Sequence, residues 1–160
     1  MSTNETNYYV EALFQQSIDV DMDLNRITVY ANLLFRNLSR ESLPSPSITL
    51  QVTPTSALIS GKILSPELVQ AVGVYTRNGK QTGWKFTTSD WFKEARADGK
   101  YHIEPIEDLT LHPGVWGELK EWQVEVDIDA LQGPLSIQGS VEVAEQSFPV
   151  MNPIQVHFNK

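Results

Sequence analysis

A strict alternation of apolar and polar residues between Ile18 and Arg36 limits what this chain can fold into more than any other feature. In the first run, apolar residues alternate with aspartates: Ile18, Val20, Met22 and Leu24 against Asp19, Asp21 and Asp23. After a break at Asn25-Arg26, a second run has apolar residues at every other position: Ile27, Val29, Ala31, Leu33 and Phe35. Successive side chains of a strand point to opposite faces, so each run predicts a strand with one buried face. The pair predicts an antiparallel hairpin whose apolar face is covered by a second sheet.

The rest of the chain repeats this pattern in shorter pieces. Alternating runs predict strands near residues 48–53, 57–64, 72–76, 80–86, 101–106, 122–128, 135–143 and 154–158. Asn78-Gly79 predicts a tight hairpin turn between two of them, because this dipeptide favours the backbone that such turns require. Gly61 predicts a bulge or bend inside the run 57–64.

Two stretches predict helix. Residues 89–98 form the stronger candidate, with Ser89 or Asp90 as the N-cap, Gly99 at the C-terminal end, and an inward face that holds Trp91, Phe92 and Ala95. Ser65-Pro66 predicts one helical turn at most.

These elements predict an all-β chain that folds as an antiparallel β-sandwich of about eight or nine strands, fewer than the ten alternating runs, with one short helix near residues 89–98. The strand order can be immunoglobulin-like or jelly-roll-like, and the pattern does not separate the two. We assign residues 17–160 to a single sandwich domain. Residues 1–16 form an N-terminal segment that is either an edge strand or a tail, and we expect its deletion to leave a folded sandwich but to weaken self-association.

The segment ITVYANLLFRNLSRESLPSPSITLQVTP, residues 27–54, resembles the strand–Asn–turn–strand unit of immunoglobulin-like and fibronectin-III-like domains, including CARDB-type modules. In that unit a hydrophobic strand ends in an Asn-rich turn, and the second strand begins after a proline. The Cys–Trp–Cys pattern of antibody domains is absent, because the chain has no cysteine. The resemblance implies a β-sandwich with a binding or structural role and no catalytic activity.

Composition excludes several classes of protein. A net charge of −8 argues against nucleic acid as the main partner, since phosphate binding requires clustered Lys and Arg. Without cysteine the chain can form neither disulfides nor thiolate sites. Its apolar runs are shorter than the roughly 20 residues that span a bilayer, so we expect no membrane span. The first residues show no signal peptide, and the compartment stays open, with a surface or extracellular assembly as one alternative.

The sequence offers little for catalysis or metal binding. Asp19, Asp21, Asp23 and Asn25 resemble a calcium loop, but the Gly and Glu that an EF-hand requires at positions 6 and 12 are missing. The three histidines, His102, His112 and His157, have no ligand spacing, and no nucleophile or phosphate-loop motif is present. We therefore predict no enzyme activity, no metal and no cofactor.

The most consistent function is that of a structural or accessory protein that acts through protein–protein contacts, with self-association as the favoured form. One group of candidate contact residues is apolar and lies near the N-terminus: Tyr8, Tyr9, Leu13 and Phe14. A second group is basic and consists of Arg77, Lys80 and Lys85. These three lie within residues 61–110, which carry seven of the 12 basic residues of the chain.

The alternative function is that of a carbohydrate- or ligand-binding module. Trp116 lies between Gly114 and Gly117 in a predicted loop and can form an exposed platform that stacks on a sugar ring. The other three tryptophans, Trp84, Trp91 and Trp122, are predicted to pack in the core.

Overall fold

The computed structural model describes residues 8–71 and 83–158. These ranges contain eleven strands, the α-helices α1 (Pro66–Ala71) and α2 (Trp91–Asp98), and a 3-10 helix at Ile128–Ala130. The first six strands are β1 (Val10–Asp21), β2 (Arg26–Asn37), β3 (Ser47–Thr53), β4 (Leu58–Gly61), β5 (Ile63–Leu64) and β6 (Trp84–Phe86). The other five are β7 (Lys100–Pro105), β8 (Trp116–Asp127), β9 (Leu135–Val143), β10 (Gln146–Pro149) and β11 (Ile154–Val156). No helix in these ranges has the length and hydropathy needed to cross a bilayer.

The strands form two sheets that enclose one hydrophobic core. The smaller sheet has the order β1-β2-β8-β4, and the larger has the order β10-β9-β3-β7-β6-β5 with β11 also paired to β9. Pairing is antiparallel apart from the short β5–β6 contact. The predicted all-β antiparallel sandwich is confirmed. The structure describes eleven strands, more than the predicted eight or nine. Five of them, β4, β5, β6, β10 and β11, are short, with two to four residues each.

The chain crosses from one sheet to the other at Gly61. The run 57–64, predicted as one bent strand, is split into β4 in the smaller sheet and β5 in the larger. Gly61 has a φ of 127°, and a Cβ there would lie 2.8 Å from the Cα of Trp122. Only glycine fits this backbone and this close approach to β8.

Helix α2 occupies the position that the sequence predicts. Gly99 ends it with a φ of 77°, and its N–H donates to the carbonyl of Ala95 at 2.7 Å. Ala95 is buried, and the ring of Trp91 stacks on Phe86 at 3.9 Å between centroids. The placement of Phe92 on the inward face is wrong, because its side chain is 48% exposed.

The two remaining local predictions concern residues 65–86. Helix α1 has six residues, which is longer than the single turn expected after Ser65-Pro66. The predicted hairpin turn at Asn78-Gly79 lies outside the described residues.

The N-terminal hairpin is longer than predicted, because β1 already begins at Val10. It pairs with β2 from Val10–Asn37 to Asp21–Arg26 without a shift in register. Residues 10–16 thus belong to the sandwich of their own chain, and Val10, Ala12 and Phe14 are buried in its core. Removal of residues 1–16 would take these side chains out of the core, so we now expect that deletion to unfold the protein.

The second half of β1 differs from the prediction in its burial. The predicted buried row, Ile18, Val20, Met22 and Leu24, is instead 41% to 66% exposed. Met22 and Leu24 lie in the turn rather than in a strand, and Asn25 closes that turn with a φ of 54°. Ile18 and Val20 do pair with the inward residues Val29 and Ile27. Their exposure shows that the larger sheet does not cover this end of the edge strand.

Candidate functional site

Strand β1 forms one edge of the smaller sheet, and part of this edge is covered by the chain itself. The carbonyl of Ala12 accepts the backbone N–H of Met151 at 2.8 Å. The side-chain amide of Asn152 accepts the N–H of Phe14 at 2.7 Å and donates to its carbonyl at 2.9 Å. Residues 151 and 152 thus take the place of a neighbouring strand as far as Phe14.

Beyond Phe14 the same edge continues without a covering segment in the described part of the chain. The register with β2 has no shift, so the backbone groups of every second residue point the same way. The N–H and C=O groups of Gln16, Ile18 and Val20 therefore point away from β2, as those of Phe14 do. We call these three residues the free edge of β1.

Apolar side chains accompany the free edge. Ile18, Val20, Met22 and Leu24, which we call the hairpin tip, are all exposed. Single exposed apolar residues are ordinary on a protein surface, but four within seven positions, beside unpaired backbone groups, are typical of a contact site.

The aspartates that alternate with the apolar residues of the hairpin tip have a structural explanation. A side-chain oxygen of Asp21 accepts the backbone N–H groups of Asp23 and Leu24, both at 3.0 Å, and this closes the turn. Asp19 is exposed on the outward face of β1. Among the described residues, no three His, Asp or Glu side chains come together as a metal site would require.

A second feature is a shallow cleft of about 450 Å³ on the outward face of the smaller sheet. Its outward-pointing residues are Gln15, Ser17, Tyr30, Asn32, Glu121 and Gln123. Two cross-strand rows bring them together, one from Ser17 through Tyr30 to Gln123 and one from Gln15 to Asn32. The ring of Tyr30 is 47% exposed, so the cleft combines an aromatic face with amide and hydroxyl groups.

A β-bulge shapes the cleft. The register between β2 and β8 shifts between Ala31 and Leu33, and Glu121 adopts a φ of 57°. The N–H of Glu121 donates to the side-chain oxygen of Asn32 at 2.7 Å, which holds the extra residue in place. The ammonium of Lys62 forms an ion pair with the Glu121 carboxylate, and this contact lowers the pKa of Glu121.

Trp116, the sequence candidate for a sugar platform, is the first residue of β8 rather than part of a loop. Its ring is 43% exposed, and the Arg36 guanidinium lies 4.6 Å from its centroid. Arg36 also forms an ion pair with Glu11. One face of Trp116 is thus occupied by a cation–π contact.

The other predicted contact residues are scattered. Phe14 is buried in the core, Leu13 is half-buried, and Tyr8 packs against the core. Tyr9 is exposed and meets Phe148 edge-on at 6.1 Å. The ammonium of Lys85 lies 3.5 Å from the Glu104 carboxylate, whereas Arg77 and Lys80 lie outside the described residues. The structure does not gather the described members of this set into one surface.

His102, His112 and the buried Tyr101 form hydrogen bonds within the sandwich. His102 lies 3.3 Å from the hydroxyl of Thr49, and His112 lies 3.1 Å from that of Ser42. The Tyr101 hydroxyl contacts the carbonyl of Ala57, at 3.4 Å, inside the core. Burial raises the pKa of Tyr101 above its ordinary value.

Comparison with known proteins leaves the family of this chain open. No protein-family model matches the sequence, and no curated protein sequence matches it. Among solved structures, the chain is similar to a FixG-related protein from Vibrio parahaemolyticus, with 13% identity and a TM-score of 0.40, over 93% of this chain and 97% of that one. It is also similar to the GH20 exo-β-N-acetylglucosaminidase of Vibrio harveyi, with 15% identity and a TM-score of 0.31, over 95% of this chain and 18% of that one. Neither likeness carries an argument about activity.

Sequence reasoning missed the outward cleft because its residues come from strands that are distant in the sequence. Alternation had already placed Tyr30 and Asn32 on the outward face of β2, which was a usable signal for the cleft. The neighbours of these residues come from β8, about 90 positions later, and no local pattern gives that register.

Proposed function

We propose that this chain is a non-enzymatic β-sandwich module that acts through protein–protein contacts, and that it associates with a second copy of itself through the free edge of β1. The observation that carries the proposal is a coincidence on one segment. The backbone groups of Gln16, Ile18 and Val20 that point away from β2 have no backbone partner among residues 8–71 and 83–158, and apolar side chains beside them are exposed. Two ionisable groups with shifted pKa values, Tyr101 and Glu121, have structural explanations in burial and in an ion pair.

An antiparallel pairing of two free edges is geometrically simple. A two-fold axis through Ile18 places Ile18 opposite itself and Val20 opposite Gln16 of the second copy. The three resulting residue pairs would exchange about six backbone hydrogen bonds. The two four-stranded sheets would then form one continuous sheet, which removes the exposed edge of each copy.

The charges of β1 favour this register over its neighbours. With the axis at Ile18, Asp19 faces Ser17 of the second copy, and Asp21 faces Gln15. Both are uncharged partners that can donate hydrogen bonds to a carboxylate. An axis one residue further along would set Asp19 against Asp19, which is unfavourable for like charges directly across a sheet. An axis at Ser17 would leave Val20 opposite Phe14, whose edge Asn152 already occupies.

The affinity should be modest. The contact is short, and each copy carries a net charge of −8, which opposes association. We expect a dissociation constant on the order of 100 µM.

The test is a pair of charge variants at the axis. In the Ile18→Glu protein two glutamates would face each other, and in the Ile18→Lys protein two lysines would, so each variant alone should be monomeric. An equimolar mixture should dimerise, since Glu then faces Lys. Sedimentation velocity and light scattering from ~10 µM to ~1 mM report the mass, and circular dichroism melting checks that each variant is folded.

A matched control is Val115→Glu, which adds the same charge at a position that is also exposed but lies just before β8, next to Trp116, rather than on β1. It should dimerise as the unaltered chain does. The proposal is wrong if the unaltered chain stays monomeric at ~1 mM, or if the mixture of charge variants fails to associate while both are folded.

A further inference from the structure

We infer that the outward cleft around Tyr30 is a binding site for a neutral saccharide. Its aromatic residue, Tyr30, points outward from β2, whereas Ile18 and Val20 of the free edge lie in the inward register. The cleft borders the free edge, because Gln15, Gln16 and Ser17 of β1 also line it. It differs from Trp116, the platform that the sequence suggested. About six residues of β2 separate Tyr30 from Arg36, the neighbour of Trp116, which corresponds to roughly 20 Å along the strand.

The chemistry of the lining determines the class of ligand. Gln15, Asn32 and Gln123 carry amides, each of which has both donors and an acceptor, and Ser17 carries a hydroxyl. Groups of this kind match the hydroxyls of a sugar, which also donate and accept. The half-exposed ring of Tyr30 offers a flat apolar surface for the C–H face of a pyranose ring.

The charge at the cleft favours a neutral ligand over an anion. Glu121 is the one carboxylate in the lining, and Lys62 neutralises it through the ion pair. The lining has no Arg or Lys side chain that would bind a phosphate or a carboxylate. A second depression, lined by Thr53, Pro54 and residues near Gln132, has no aromatic side chain and does not offer the same combination.

The bulge gives the site a fixed shape. The side-chain oxygen of Asn32 accepts the N–H of Glu121. This hydrogen bond fixes the orientation of the amide N–H groups of Asn32. Gln123 is oriented in a similar way, because its amide nitrogen donates to the Glu125 carboxylate at 2.7 Å. The acceptor oxygen of Gln123 is then held in place to receive a ligand hydroxyl, which lowers the entropic cost of binding.

The experiment uses the full chain and three tetrasaccharides that differ in linkage and substituent: cellotetraose, maltotetraose and chitotetraose. Isothermal titration calorimetry should give a dissociation constant of about 1 mM or tighter for at least one of them. Tyr30→Ala should weaken that binding roughly tenfold, whereas Tyr30→Phe should retain it, because the ring and not the hydroxyl makes the stacking contact. Gln123→Ala should weaken it as well.

Two control variants distinguish binding at the cleft from binding elsewhere on the protein surface. Tyr9→Ala removes another exposed tyrosine outside the cleft and should leave binding unchanged. Trp116→Ala should also leave it unchanged. The inference is overturned if none of the three sugars binds at ~10 mM, or if Trp116→Ala abolishes binding while Tyr30→Ala does not. Tyr30 and Gln123 are chosen because neither lies on β1, so that these substitutions leave the free edge itself unchanged.

Discussion

Replacement of Asn37 by Asp should destabilise this protein more than so small a change in the side chain suggests. Asn37 is the last residue of β2, and its side chain is fully buried. Its amide nitrogen donates to the carbonyls of Glu41 and Leu111, at 2.8 and 2.9 Å, and its oxygen accepts the N–H of Ser39 at 2.8 Å. One side chain thus joins the end of β2 to two separate loops.

The magnitude follows from these three contacts. Asp keeps the bond from Ser39 but replaces two donors with an oxygen that faces two carbonyl oxygens. Each buried carbonyl that loses its donor costs about 1–3 kcal/mol, although Leu111 keeps a second donor in the N–H of Leu43 at 2.9 Å. We expect a loss of about 3–5 kcal/mol at pH 7, which corresponds to a melting temperature lower by about 10 °C.

The loss should also depend on pH in a defined direction. The buried carboxylate faces carbonyl oxygens, so the pKa of residue 37 in the folded variant should lie above the unfolded value of about 4. A group with a raised pKa contributes stability that is present below the unfolded pKa and is lost as the pH rises through the folded pKa. The stability difference between the variant and the unaltered chain should therefore be smaller at pH 4 than at pH 7.

Urea unfolding at several pH values measures this difference, with Asn152→Asp as the matched control. Asn152 also bonds a backbone N–H and a carbonyl, both of Phe14, but it is exposed, so water can replace the lost donor and the cost should stay below about 1 kcal/mol. Equal losses at positions 37 and 152, or a loss at position 37 that is the same at all pH values, would show that the reasoning about burial is wrong.

Three further predictions concern the stability of the fold. Tyr101→Phe should cost about 1 kcal/mol at neutral pH. Because the pKa of Tyr101 is raised, the unaltered chain should lose stability above a pH of about 10, and the Phe variant should lose less. Thermal melting at alkaline pH measures this difference. Gly61→Ala should cost more than about 2 kcal/mol through its backbone clash, whereas Gly133→Ala, where a Cβ meets nothing within 4 Å, should melt as the unaltered chain does. Val29→Asp should unfold the protein by burying an unpaired charge; Thr28→Asp should also be destabilising, though less so, because Thr28 points outward yet is only 7% exposed.

Strand β2 shows what the sequence alone can give. Its alternation correctly separates Ile27, Val29 and Leu33, which are buried, from Tyr30, which is exposed. The prediction works because both neighbours of β2 and the opposing sheet cover its inward face along the whole length. Gly99 is a second success, since a left-handed helix end requires a residue without a Cβ.

Strand β1 shows where the same reasoning fails. Alternation reports which side chains share a face, and Ile18 and Val20 do share the face of Val29. It does not report whether another layer covers that face. β1 is an edge strand, and the chain covers its edge only as far as Phe14. The same alternating pattern is therefore buried in the first half of β1 and exposed in its second half. A buried strand and a contact surface thus have the same sequence signature.

The outward cleft fails to appear in the sequence for a different reason, and the two proposals are tested at different residues. Its residues come from β1, β2 and β8, and the bulge at Asn32 sets which residue of β8 stands beside Tyr30. Because side chains alternate along each strand, substitutions at Ile18 act on the inward face and the edge, whereas substitutions at Tyr30 act on the outward face. A variant that abolishes self-association through Ile18 should therefore still bind saccharide, and Tyr30→Ala should still dimerise. If both variants lost both properties, the smaller sheet itself would have been disrupted, and circular dichroism melting would reveal it.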